Sequence, residues 1–253
     1  MSAPGDPLTG PKACEEQLLS YPPEGFTQPA NLPYQQQPQT YSGPDLKGAV
    51  QYVDQIPGVP PGLEYLVQVN QLSVYTKYFT TQSGKTYEIK NSIGQQIFVG
   101  HSDQKCCGPL YDVMLRDNSN TDVIQLLEIC KCTCRREVEI YSPPGTIIGY
   151  ATLSWYTHVT SLSILNASKE TVLLIVGPSF RTLIFGDVNF EVRSKDETQT
   201  IGQIVKDNNQ FSVQFPLDLE VKMKVVLLGA TLYLDHLVEM KRRQLEREAR
   251  QRN

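Results

Sequence analysis

The stretch VKMKVVLLGATLYLDHLVEM, Val221 to Met240, decides how the rest of the chain is read. Between Val225 and Leu234, apolar residues occupy nearly every direction of a helical projection, so no polar stripe faces water. A helix that is apolar all round has to be enclosed, by protein or by lipid. Crossing a bilayer takes about 20 predominantly apolar residues. This run is shorter, with Lys222 and Lys224 before it and Asp235, His236 and Glu239 after it. Those limits favour a helix in a protein core over a membrane span. Val225, Val226, Leu227, Leu228, Gly229 and Leu232 are its central residues in either surrounding, and Gly229, Ala230 and Thr231 admit close neighbours.

Working outward from this helix, the chain upstream repeats one design. Short runs of β-branched and aromatic residues are cut by Gly, Pro, Asn and Asp, beginning after PPGLEYL (Pro60 to Leu66). The runs predict strands near 71–79, 86–91, 94–99, 111–117, 122–129, 136–141, 146–154, 161–166, 171–176, 187–192, 200–206 and 210–216. Regular spacing of this kind points to a sandwich or barrel and away from an alternating α/β fold. About a dozen strands followed by one wholly apolar helix suggest a closed barrel with the helix threaded through it. Closure removes sheet edges, and the helix fills the lumen.

The flanks differ in composition from this body. Residues 1–59 hold most of the prolines together with Gln- and Tyr-bearing stretches such as NLPYQQQPQTY. Such a segment cannot bury enough apolar surface to offset its ordering entropy and is expected to be a disordered arm. Pro4-Gly-Asp-Pro7 and Pro57-Gly-Val-Pro60 have the spacing of SH3 or WW ligands, which also arises by chance in a Pro-rich segment. Residues 60–240 are assigned to the barrel and its helix. Residues 241–253, KRRQLEREARQRN, form a basic tail whose pairs Glu239–Arg243 and Glu246–Arg250 extend the helix into water.

The net charge of −4 offers no global attraction for nucleic acid, and none is expected as a partner. The N-terminus has neither a basic n-region nor an apolar h-region, so the chain is expected in the cytosol. Its six cysteines are then read as reduced, modified or metal-bound instead of disulfide-paired. His101, His158 and His236 are isolated, and no triad, phosphate loop or paired metal motif is visible, so an enzyme is not expected.

Several long motifs carry a resemblance. PPGLEYL, YEIKNSIGQQIF (Tyr87 to Phe98), SPPGTIIGY (Ser142 to Tyr150), GDVNFEV (Gly186 to Val192) and QFPLDLEVKMKVVLLGA (Gln214 to Ala230) resemble, in this order, the phospholipid scramblase family. The resemblance implies a tubby-like fold, mainly β, with roughly 12 strands enclosing a hydrophobic C-terminal helix. It also implies a membrane-anchored protein tied to calcium-dependent, ATP-independent, bidirectional movement of phospholipids between leaflets. The place implied is the cytoplasmic face of the cell membrane. A tubby-like adaptor that docks on membranes and recruits SH3 or WW partners is the competing reading, and homo-oligomerisation is left open. The basic import segment of some relatives is reduced here to GQIVK (Gly202 to Lys206), with one lysine, so nuclear import is not expected.

Two motifs could carry chemistry. In Cys130-Lys131-Cys132-Thr133-Cys134, an extended backbone places all three thiols on one side and the lysine on the other. The resemblance implies S-palmitoylation of Cys130, Cys132 and Cys134; buried cysteines and a soft-metal site are the rivals. Cys106 and Cys107 are open to either acylation or burial. The resemblance also implies a calcium loop over DNNQFSVQFPLD, Asp207 to Asp218. Asp207, Asn209, Phe211 and Asp218 would hold positions 1, 3, 5 and 12, with Ser212 where a glycine is wanted. Two carboxylates imply low affinity for Ca2+. The alternation of Phe211, Val213 and Phe215 instead suits a last barrel strand.

Overall fold

A computed structural model describes residues 56–78, 84–103, 110–128, 136–155, 159–179, 188–207 and 210–251. Twelve strands follow one another: β1 Gln71–Tyr78, β2 Gly84–Asn91, β3 Gln96–Asp103, β4 Tyr111–Arg116, β5 Asp122–Glu128 and β6 Arg136–Tyr141. The second half continues with β7 Ile147–Trp155, β8 Val159–Asn166, β9 Thr171–Pro178, β10 Val188–Ser194, β11 Thr200–Asp207 and β12 Gln210–Gln214. Each pairs antiparallel with its sequence neighbours, and β1 pairs with β12 through Gln71↔Gln214 to Tyr75↔Gln210, which closes the barrel. Period-2 alternation sets the inside. In β4, Tyr111, Val113 and Leu115 are buried while Asp112, Met114 and Arg116 are partly exposed.

Helix α1, Val221–Gln251, runs through the lumen. From Val225 to Leu228 and from Leu232 to Leu234 no apolar side chain has any exposed surface, so the sequence alternatives resolve to a core helix. Among the described residues, no helix is long and apolar enough to cross a membrane. The fit is close. A Cβ on Gly229 would stand 2.8 Å from Leu126 and 2.9 Å from Ile140, and one on Gly149 would stand 2.7 Å from Val226. The helix therefore needs a glycine where it passes β5 and β6.

The antiparallel order gives the barrel two distinct ends. At one, here the base, lie the start of β1, the end of β12, the start of α1 and the turns 92–95, 117–121, 142–146, 167–170 and 195–199. Four of these turns share one device. The amides of Gly94, Asn120, Lys169 and Glu197 each donate to the carbonyl three residues earlier. Each of the four residues has a positive φ and is followed by a register shift in the adjoining ladder. This is a type I turn closed by a left-handed bulge residue. At the other end, the mouth, α1 leaves the barrel, and there lie the ends of β1, β3, β5, β7, β9 and β11 and the starts of β2, β4, β6, β8, β10 and β12.

Candidate functional site

The mouth is where polar side chains of α1 meet the strand ends. Lys85 on β2 pairs with Asp235 at 3.0 Å, and the Tyr87 hydroxyl donates to the same carboxylate at 3.5 Å. Tyr111 donates to the helix carbonyl of Leu232 at 3.2 Å, which ties β4 to α1. Arg136, the first residue of β6, forks onto Glu128, the last of β5, with both bonds at 2.8 Å. Its guanidinium also lies against the Met240 sulfur. Burial raises the Tyr87, Tyr111 and Tyr233 hydroxyls well above the usual tyrosine value. His236 packs its ring 4.4 Å from that of Tyr111, and its Nε2 has no hydrogen-bond partner. Burial, helped by the charges of Lys85, Arg136 and Arg243, pushes its pKa down to about 3, so it is neutral at physiological pH. Burial would raise the Glu239 carboxyl, but hydrogen bonds from Arg242 and Arg243 outweigh it and hold it below its ordinary value.

The base holds a side chain that sequence reasoning passed over as a flank. Lys224 is completely buried, and its Nζ lies 2.8 Å from the Leu217 carbonyl, 2.9 Å from those of Leu66 and Val69, and 3.3 Å from that of Val67. Burial pulls its pKa below the usual lysine value, with the Asp218 charge opposing. The ammonium binds the 3-10 turn Glu64–Gln68 and the segment before α1 to the helix itself. A cation in the first turn of a helix works against the macrodipole, and that anomaly was the available signal.

The sequence-predicted residues fall as follows. Cys130, Cys132 and Cys134 lie outside the described residues, as do Cys106 and Cys107. The strand ends that flank the triple-cysteine connection are Glu128 and Arg136, the ion pair at the mouth. Asn209 is likewise outside the described residues. Asp207 ends β11 at the mouth, Phe211 is buried inside β12, and Asp218 lies beyond β12 at the base. The span 207–218 is thus a hairpin and a strand instead of one wrapped loop. At roughly 3.3 Å per residue, five residues of strand separate its two aspartates too widely to share one ion. No group of three His, Cys, Asp or Glu suited to a metal occurs among the described residues.

Pro57–Pro60 also departs from expectation. Val59 donates to the Ile56 carbonyl at 3.0 Å and Gly58 has φ +83°, so this PxxP is a tight turn instead of an extended ligand. Pro4–Pro7 lies outside the described residues. An open groove of about 660 Å³ crosses β10, β11, β12 and β1 near the base. Along it Gln203 donates to Gln214 at 2.8 Å, Asn189 to Gln203 at 3.5 Å and Gln71 to the Ser212 hydroxyl at 3.1 Å.

The sequence profile of the Scramblase family matches residues 50–238. Phospholipid scramblase 2 of Bos taurus is 36% identical over 245 residues, covering 83% of this chain and 82% of its own. Phospholipid scramblase 1 of Mus musculus is 34% identical over 242 residues, covering 83% and 74%. Phospholipid scramblase family member 5 of Homo sapiens is 36% identical over 209 residues, covering 71% and 77%. No solved structure matches the chain.

Proposed function

Because the chain belongs to the Scramblase family, we propose that it promotes bidirectional, ATP-independent movement of phospholipids between leaflets, in response to calcium. The observation that carries this reading is the family match over residues 50–238, which spans every strand and the buried part of α1. The mouth supports an orientation in which this end meets the cytosolic face of the bilayer. The connection bearing Cys130, Cys132 and Cys134 joins two strand ends there, and acylation of these thiols would supply the anchor. The calcium response rests on the family resemblance alone.

The filled lumen favours a second reading. With α1 packed against the inner wall, the described residues leave no route for a headgroup through the barrel interior. A docking adaptor that recruits SH3 or WW partners through its arm needs none. Reconstitution of the purified chain into vesicles with a fluorescent phospholipid separates the two. Loss of leaflet asymmetry without ATP, faster with calcium, is the expected result. Vesicle binding with asymmetry intact would leave the adaptor.

A further inference from the structure

Beyond the mouth, α1 continues as one helix through Gln251, about 17 Å of exposed rod at 1.5 Å per residue from Met240. This part carries five cations, Lys241, Arg242, Arg243, Arg247 and Arg250, against Glu246 and Glu248. Arg243, Arg247 and Arg250 follow the i, i+4, i+7 spacing of a single face, and all three are exposed. Arg242 and Arg243 are held by Glu239 at 2.6 and 2.8 Å, which fixes the root of this face at the barrel rim. Among the described residues, Arg247 and Arg250 have no carboxylate at ion-pairing distance. A charged helix face is ordinarily just a solvated surface. Here it is continuous with the core helix, its outer cations have no ion-pair partner among the described residues, and it emerges at the end where Glu128 and Arg136, the strand ends on either side of the triple-cysteine segment, meet.

We infer that the outer part of α1 is a cationic bar whose arginines engage anionic phospholipid headgroups and contribute a second, electrostatic attachment beside acylation. The inference rests on the orientation proposed above, with the mouth toward the bilayer. A single acyl chain holds a protein only marginally at a membrane, and a basic segment is an effective second signal. Each lysine or arginine close to an anionic surface strengthens attachment roughly fivefold, and salt screens it within a Debye length of about 8 Å.

The test uses the full chain made without acylation and vesicles of phosphatidylcholine, alone or mixed with phosphatidylserine. The bar predicts sedimentation with the mixed vesicles only, weakened by added salt. The Arg247→Gln, Arg250→Gln double variant should lose about 25-fold in partitioning, and the corresponding double lysine variant should retain it. Both positions are solvent-exposed, so thermal unfolding should not change. Equal sedimentation with pure phosphatidylcholine, undiminished binding of the double glutamine variant, or equally strong binding to duplex DNA would each overturn the inference. Failure here leaves the acyl anchor intact, because that anchor is read separately, as membrane retention in cells lost when Cys130, Cys132 and Cys134 become alanine.

Discussion

The two ends of the barrel close around α1 by different chemistry. At the base, one cation, Lys224, gathers four backbone carbonyls, with no carboxylate at ion-pairing distance among the described residues and only the more distant charge of Asp218 acting on it. At the mouth, closure is shared among side chains: Lys85 with Asp235, Arg136 with Glu128, Tyr111 with the helix backbone, and Glu239 with two arginines. A backbone cage is indifferent to the titration of its acceptors. A side-chain ring is open to pH, salt and nearby charged surfaces. The base is thus built to stay shut, and the end that carries the sensitive groups is the one proposed to meet the membrane.

The severest test places a second lysine between the two ends. Leu227→Lys puts an ammonium at a fully buried position of the apolar core. An unpaired buried charge costs several kcal/mol, against a total domain stability of about 5 to 15 kcal/mol. Limited proteolysis of the variant should show a protease-sensitive or aggregated barrel, even without acylation. A soluble, resistant variant would break the view of α1 as the core.

Next in size is the base itself. Lys224→Met keeps most of the side-chain volume but takes the ammonium from four carbonyls, of which Leu66 keeps the Val69 amide as a donor. We expect a loss of about 3 kcal/mol, since removing one partner strands the others in a buried setting. Denaturant unfolding measures it. An unchanged midpoint would mean that the turn Glu64–Gln68 is held by its apolar contacts, Leu63 and Leu66, and that the cage is incidental.

How far these ends were legible follows from the range of the interactions. The strand pattern was readable because alternation is local: the run at 136–141 coincides with β6. The start of β3 was misread at 94 because Asn91 captures the amides of Ile93 and Gln95 with its side chain and holds the turn two residues longer. The helix was legible as enclosed, and its lipid alternative fell only when the lumen proved full. The alternation of Phe211, Val213 and Phe215 was the sounder guide to 207–218, since all three side chains are buried and Gln210–Gln214 is strand β12. The partners of Lys224 were not legible, because three of its four acceptors are carbonyls more than 150 positions away. That Glu128 and Arg136, the strand ends on either side of the cysteine-bearing segment, lie at the mouth depends on counting strands through closure, which no short motif encodes.

The smallest effect sharpens the contrast most, because it should appear at the mouth and not at the base. His236 faces Tyr111 and Tyr233, with the charges of Lys85, Arg136 and Arg243 acting against its protonation and Glu239 acting for it. Its pKa is about 3 in the folded chain against 6.5 for a free histidine. Below pH 6.5 the unfolded state therefore takes up a proton that the folded state refuses, and stability falls as the pH drops toward 3. The slope is at most about 1.4 kcal/mol per pH unit, so roughly 2 kcal/mol should be lost by about pH 5, with no contribution from this group above pH 6.5. His236→Gln cannot titrate and should flatten that slope, even if it lowers stability uniformly by loosening the ring stack. Unfolding midpoints of both proteins across this range decide the matter, with Lys224→Met as the reference: a change at the base should keep the acid slope. Parallel pH profiles for wild type and His236→Gln would show that the mouth admits water to the imidazole and is not the tight ring described above.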